Sequence, residues 1–420
     1  MKHIAMVTTS RSEWGIQRPI AAALHDRNDV RLSIVAGGMH LSEAFGATVS
    51  DIYSDGFTVN AGLRFLTPGD TEFDIAMSIS QGVAAFARCF AGDQPDLISV
   101  LGDRFDMFPA VIAALPLGIP IAHIHGGERT DGSFDDSIRH AITKMSHLHL
   151  VSTREYAGRI IQMGESPKHV HCVGAPGLDD IVSHVSLDGD TLQETYGFVE
   201  GLVNALVVYH PETRGNSPSD ASPAESMSRL LQAVTDSVGT DANIVIVSPN
   251  ADTGYSGISE VIESFCKKCD RARHFQSIPR RAYLSMMEIA SLMVGNSSSG
   301  IIEAPSFKTP VVNVGTRQAG RVRAANVIDV ASETTAIRRA IDKALSNEFV
   351  MSLSELENPY GDGKSAGRIA QILATTDLTP EFLAKRFVDQ TVSSPHSFAS
   401  STNTRTADSI SSKHAHSLGE

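Results

Sequence analysis

Short apolar runs alternate along this chain with segments whose apolar residues recur every three to four positions. In the first 150 residues, "HIAMVT", "VRLSIVAGG", "DLISVLGD", "GIPIAHIHGGE" and "LHLVST" have the length of strands, and most end in Gly, Asp, Ser or Thr. Runs this continuously apolar predict strands buried on both faces, which is the signature of a parallel sheet. Between them "QRPIAAALHDR", "GVAAFARCFA", "DMFPAVIAAL" and "SIRHAITKM" carry the helical period. After a polar stretch from Asp179 to Gly201 the pattern restarts with "ALVVYHPET", "NIVIVSPNAD", "ASLMVGNSSS", "TPVVNVGTR" and "NVIDV". Helices are predicted there near 224–237, 259–268, 281–289 and 334–345. "GKSAGRIAQILATT" predicts one more helix, and beyond Gln390 the chain is rich in Ser, Thr and His without a period, which predicts a disordered tail.

Alternating strands and helices in two blocks predict an α/β protein with two Rossmann-like, doubly wound domains facing each other across a cleft. The expected boundaries are 1–180 and 201–363, with helices over 364–390 packing back on the first domain and the tail over 391–420. A length of 420 residues suits two cores better than one. In such sheets ligands bind beyond the carboxyl ends of the strands, so function is expected in the cleft.

Charge narrows the partners. The formal net charge is −13 with no basic block, which argues against nucleic acid or an anionic membrane as a partner. "MKHIAMVTTS" lacks the length and cleavage site of a signal peptide, and the longest apolar stretch, 109–122, is broken by Pro116, Gly118 and Pro120. A soluble, cytoplasmic protein is expected. Cys266 and Cys269 form a lone CxxC; a zinc site would need a second pair, and only Cys89, Cys172 and His274 are on offer. These are expected to be two thiols on a helix in a reducing compartment, with no metal.

The strand ends carry the chemistry. "GNSSSGIIE" places small polar residues where a strand hands over to a helix, where unpaired backbone N–H groups and the helix dipole can hold an anion; the same residues would also serve as a plain N-cap. "TTSRSEWG" closes the first strand with Arg11 and Glu13, and "LGDRFD" closes another with Asp103, Arg104 and Asp106. "HIHGGE" supplies His125 and Glu128, with Gly126 and Gly127 admitting a close backbone approach. "FDDSIRH" opens a helix with Asp135, Asp136 and Arg139, "YHPET" supplies His210, and "GTRQAGRVR" supplies Arg317, Arg321 and Arg323. The first domain offers carboxylates and the second offers phosphate donors. A nucleotide diphosphate held by the second, with its sugar directed at the first, unites them.

"TSRSEWG", "LGDRFD", "HIHGGE", "DDSIRHAITKMSHLHL", "HPET", "SPNADTG", "GNSSSGIIE" and "GTRQAGRVRAANVIDV" occur in one order from about Met1 to about Leu373. Together they resemble the hydrolysing UDP-N-acetylglucosamine 2-epimerases of bacterial sialic acid synthesis. The resemblance implies the GT-B fold, no cofactor or metal, a homodimer or homotetramer, and conversion of UDP-GlcNAc and water to UDP and N-acetylmannosamine. It implies reaction-site roles for Asp103, Glu128, Asp135 and His210. It further implies substrate binding by Arg11, His40, Arg139, Asn250, Ser297, Ser298, Ser299, Gly300, Glu303 and Arg317. Non-hydrolysing relatives carry "TRPE" and a nearby Lys where this chain has "SRSEWGIQ", which favours the hydrolysing branch. Trp14 stands where a smaller aromatic is usual, at the expected sugar pocket. The same motifs suit a UDP- or GDP-2,4-diacetamido-trideoxyhexose, as in legionaminic-type pathways, and the nucleotide cradle alone would suit a GT-B glycosyltransferase or a nucleotide-sugar sensor.

Overall fold

A computed structural model describes residues 1–130, 134–212, 221–239, 242–249, 252 and 254–389. Asn250 and the expected tail, 391–420, lie outside the described residues. Residues Met1–Val388 form one compact unit.

The first half runs β1 (Lys2–Thr8), α1 (Arg11–His25), β2 (Val30–Gly37), α2 (Val49–Ser54), β3 (Val59–Leu63), α3 (Glu72–Gly92), β4 (Leu97–Leu101), α4 (Phe108–Ala114), β5 (Ile121–Ile124), α5 (Asp135–Met145), β6 (Leu148–Val151), α6 (Arg154–Gln162) and β7 (Val170–Cys172). Its seven strands lie in the order β3-β2-β1-β4-β5-β6-β7, all parallel. Two short helical turns, α7 (Asp179–Val182) and α8 (Gly189–Thr191), lead to the second half. There β8 (Asn204–Val208), α9 (Pro223–Val238), β9 (Asn243–Val247), α10 (Tyr255–Cys266), β10 (Ala272–Phe275), α11 (Arg280–Ile289), β11 (Leu292–Gly295), α12 (Ser298–Ile302), α13 (Ala304–Phe307), β12 (Val311–Val314), β13 (Val327–Val330) and α14 (Thr334–Ala344) follow. The second sheet has the order β10-β9-β8-β11-β12-β13, again parallel.

Each order reverses once, between β1 and β4 and between β8 and β11. At such a switch point the connections leave toward opposite faces and a crevice opens beyond the carboxyl ends. The residues after β1, β4, β5, β8, β11 and β12 therefore converge without any long loop to carry them. The fold is the GT-B-like pair of Rossmann-like α/β sheets expected.

The closing helices α15 (Asn347–Ser352), α16 (Ser365–Thr375) and α17 (Pro380–Leu383) end the described chain. Ala366, Ile369, Ala370 and Leu373 of α16 pack with Ile20 and Leu24 of α1 and Ile4 and Met6 of β1 in one buried cluster. Lys2 Nζ donates to the carbonyls of Leu373, Ala374 and Thr376 at 3.1, 2.8 and 2.5 Å. Among the described residues α3 alone is long and apolar enough to cross a membrane. Here it lays Ile75, Phe86 and Phe90 into the core cluster that also holds Val111 and Ala114 of α4.

Local details differ from the sequence-based expectation. Arg11 and Glu13 do not close β1; they form the first turn of α1. The Ser10 hydroxyl accepts from the Glu13 N–H while Glu13 Oε2 accepts from the Ser10 N–H at 3.2 Å, a reciprocal box that starts the helix two residues after the strand. Helix α3 begins at Glu72 under a similar box on Thr71, ten residues ahead of the segment expected to be helical. Strands β3, β7 and β10 are not legible in the sequence pattern. Cys266 is the last residue of α10 and Cys269 lies in the turn beyond it, so the two thiols do not share a helix.

Candidate active site

The two sets of strand ends enclose a cleft of about 350 Å³. On the wall from the first half, Asp103 follows β4 and is ion-paired to the Arg139 guanidinium, which also donates to Thr130 Oγ1 at 3.1 Å. Arg139 is 1% exposed. A buried guanidinium needs such partners, and they hold the Asp103 carboxylate against one edge of the cleft. Asp135, in the first turn of α5, is buried and lines the same wall.

Glu128 is buried in the same wall, at 1% exposure. Its Oε1 accepts from Ser152 Oγ at 3.3 Å and sits 2.6 Å from His125 Nδ1, and its Oε2 is 3.0 Å from Arg321 Nη2. Burial raises the affinity of this carboxyl for a proton, but Arg321, then His125 and Arg139, outweigh burial and hold it well below the usual carboxylate range. His125 takes up a left-handed backbone conformation, φ 64°, at the point where β5 ends. Such a conformation in a non-glycine residue persists only where surrounding contacts fix it, and the Glu128 pair is one of them. The glycines beside it serve packing rather than a ligand. A Cβ on Gly126 would meet the His123 ring at 2.8 Å, and one on Gly127, whose φ is 76°, would meet the Tyr156 carbonyl at 2.6 Å.

On the opposite wall Asn296 organises the site. Its Oδ1 accepts the His210 N–H at 2.7 Å and its Nδ2 donates to the His210 carbonyl at 2.9 Å, which locks the ends of β8 and β11 together. Burial, with Arg317 and Arg104 nearby, holds the His210 ring far below the usual imidazole range, so it is neutral. Ser297 caps α12; its Oγ is 2.9 Å from Ser299 Oγ, which lies 2.6 Å from the Tyr283 hydroxyl. Ser297, Ser298, Ser299, Glu303 and Arg317 all line the cleft. Glu303 Oε1 is paired with Arg280 Nη2 at 2.8 Å, while its Oε2 is buried with no hydrogen-bond partner among the described residues. Arg11 also lines the cleft, pairing with Asp51 at 2.8 Å and donating to Ser277 Oγ of the second half at 2.6 Å.

Two residues expected in the site do not line it. His40 is fully buried, its Nε2 3.0 Å from Thr8 Oγ1 and its Nδ1 2.9 Å from Thr48 Oγ1, so both ring nitrogens are spent on fastening the loop after β2. Gly300 faces β12, where a Cβ would meet Val311 at 3.0 Å. Asn250 lies outside the described residues. Trp14 is also turned away from the cleft: its indole N–H donates to Asp55 at 2.7 Å and its ring packs edge-on against Phe57.

Other residues of the cleft have no role that sequence pattern alone assigns. Arg104 is 3.0 Å from Asp106, 3.7 Å from Asp252 and 3.9 Å from Glu13. Glu13 is pushed up to about 8 by burial and by Asp106, against the opposing pull of Arg104 and Thr9. Arg280 and Tyr283 come from α11, where "RRAYLSMMEI" reads as an ordinary amphipathic helix. Among the described residues no three His, Cys, Asp or Glu side chains gather as a metal site would need.

The arrangement can take a nucleoside diphosphate on the wall of hydroxyls, helix-start N–H groups and Arg317, and can move protons at the wall of carboxylates. Comparison with known proteins agrees with this chemistry. The UDP-N-acetylglucosamine 2-epimerase family pattern matches residues 22–374. The chain belongs to that family. Within it, this enzyme is 36% identical to the UDP-N,N'-diacetylbacillosamine 2-epimerase (hydrolyzing) of Legionella pneumophila, over 92% of this chain and 99% of the relative. It is 38% identical to the polysialic acid biosynthesis protein P7 of Escherichia coli, over 86% and 90%. These relatives support the hydrolysing branch. Its fold superimposes on the UDP-GlcNAc 2-epimerase of Neisseria meningitidis bound to UDP-GlcNAc with a TM-score of 0.76 at 18% identity, over 90% of this chain and 100% of the other.

Proposed function

We propose that this epimerase converts UDP-GlcNAc and water to UDP and N-acetylmannosamine. The observation that carries the reading is the division of labour across one cleft: Asp103, Glu128 and Asp135 on one wall, and neutral His210, Arg317 and the serines of α12 on the other. A sugar C2 proton is not acidic, so UDP leaves first. Arg317, His210 and the donors at the start of α12 stabilise the charge that develops on the diphosphate, the kind of preorganised electrostatic help that dominates many rate enhancements. The oxocarbenium-like carbon left behind acidifies C2–H, and a carboxylate takes that proton to leave a 2-acetamidoglucal. Water then adds at C1 while a proton is delivered to C2 from the opposite face, giving the inverted sugar.

Relatives at 36% and 34% identity are named as hydrolysing epimerases of diacetylbacillosamine nucleotides, which favours a second reading in which a 2,4-diacetamido sugar undergoes the same two steps. Incubation of the purified protein with each UDP-sugar in D₂O separates the readings. Release of UDP with deuterium at C2 of N-acetylmannosamine is expected. Turnover of the diacetamido sugar alone would replace the first reading with the second, protium retained at C2 would sink elimination, and a requirement for an added acceptor would indicate glycosyl transfer.

A further inference from the structure

The 315–324 loop after β12 belongs to the second half, yet one of its side chains completes a carboxylate of the first. Arg321 Nη2 reaches Glu128 Oε2 at 3.0 Å, and both residues line the cleft. Arg321 Nε and Nη1 are buried without hydrogen-bond partners among the described residues. A guanidinium kept partly unsatisfied in a buried setting is costly, and Glu128 is its compensation.

A second observation, independent of that pair, fixes the loop. The Val322 N–H donates to the Tyr156 hydroxyl at 2.9 Å, the Tyr360 hydroxyl donates to the Val322 carbonyl at 2.9 Å, and the two hydroxyls are 3.0 Å apart. Each phenol has one proton, so Tyr156 donates to Tyr360 and the three bonds close a ring. Tyr156 comes from α6 of the first half and Tyr360 from the segment before α16, and both are fully buried. The residue next to Arg321 is therefore held at its N–H and its carbonyl. On the same loop Gly320, with φ 87°, packs against Arg129, where a Cβ would come within 2.6 Å of the Arg129 Cβ.

We propose that Arg321 is a positioning residue, delivered by the second half and registered by the Tyr156–Tyr360 ring, which orients Glu128 and keeps it ionised as the proton acceptor of the elimination step. The inference rests on reading Glu128 as a proton-transfer group. Other groups near Glu128 are His125 after β5, Ser152 after β6, Arg139 of α5 and the two tyrosines themselves, with Asp135 of α5 and Asp103 after β4 lining the same cleft. Of these cationic groups, among the described residues, only Arg321 comes from the second half. Ammonium at this position would keep the charge but lose the fork, whereas a thioether would lose both.

The test uses the full chain and whichever of the two UDP-sugars it turns over, with kcat and KM followed from pH 5 to 9 and UDP affinity followed by calorimetry. The wild-type profile is expected to show no Glu128 limb down to pH 5, whereas Arg321→Met is expected to lower kcat by about tenfold or more and to bring that acid limb up into the pH 5–9 window, because burial then outweighs the remaining cations. Arg321→Lys is expected to restore most of the limb position, and Tyr360→Phe to move the limb the same way by less. UDP affinity should stay close to wild type in all three. An unmoved limb in Arg321→Met and Tyr360→Phe, with Glu128→Gln inactive, overturns the inference while leaving Glu128 in its role. A near-normal rate for Glu128→Gln removes that role itself. Loss of UDP affinity without a limb shift would make Arg321 a phosphate ligand and likewise overturn the inference.

Discussion

Glu303 offers a perturbation whose size follows from its surroundings. Its carboxylate is buried, one oxygen engaged by Arg280 at 2.8 Å and the other without a partner among the described residues. Glu303 lines the cleft, so a ribose hydroxyl of UDP placed against that oxygen would form a charge-assisted hydrogen bond. Glu303→Gln keeps the shape and one oxygen for Arg280 but puts an amide donor in place of the unpartnered acceptor. A hydrogen bond to a charged group contributes about 1.5–3 kcal/mol, so UDP binding should weaken about 10- to 150-fold. Calorimetric titration with UDP and with 2′,3′-dideoxy-UDP isolates the contact. The wild type should prefer UDP by that factor, and the variant should bind both ligands about equally. An equal loss of affinity for both ligands would show that Glu303 acts by supporting Arg280, and the ribose assignment would be wrong.

Arg317→Ala should weaken UDP binding by about 1.5–3 kcal/mol, because among the described residues its guanidinium has only loose contacts, 3.4 Å to the Asn296 carbonyl and 3.8 Å to Asp252, and it lines the cleft; calorimetry with UDP checks this. His40→Ala should lower unfolding stability by roughly 2–5 kcal/mol through a cavity and two unpartnered threonine hydroxyls, with UDP affinity changed by less than about twofold; urea titration and calorimetry read the two halves of that statement. Glu13 binds its proton near pH 8 when folded and near its ordinary value of 4.5 when unfolded. The folded state thus holds the extra proton between those values, so stability should fall as pH rises through the window. Urea midpoints at pH 5 and pH 8 should show that fall in the wild type and a flatter response in Glu13→Gln.

What could be read from sequence was what local pattern determines. Strands such as "ALVVYH" and "HIAMVT" are buried on both sides, so their apolar runs are unbroken. Strands β3, β7 and β10 lie at sheet edges, and "ARHF" in β10 carries Arg and His because one flank meets solvent. The start of α1 is not legible because "SRSE" has the pattern of a polar strand end, and only its reciprocal hydrogen bonds make it a helix start. In the site, residues set directly at strand ends, such as Asp103, Glu128, His210 and Arg317, could be located from the switch-point logic. Arg280 and Tyr283 could not, because "RRAYLSMMEI" reads as an ordinary amphipathic helix, and the Arg321–Glu128 pair could not, because it depends on how one half packs against the other. His40 sits just beyond β2 yet its ring turns inward, a choice made by Thr8 and Thr48 rather than by its neighbours in the chain.

The packing of α16 on α1 and the grip of Lys2 on the last carbonyls of α16 have a consequence for biosynthesis. The first sheet emerges from the ribosome early, but Ile369 and Leu373, which cover Ile20 and Leu24, are made only after the entire second half. The half that begins first is therefore finished last, and until then one flank of α1 is uncovered apolar surface. Expressed alone, residues 1–180 would carry that surface permanently, whereas the second half has one face of its sheet covered from within 204–344 and the other partly by Leu192, Tyr196 and Phe198, made just before it.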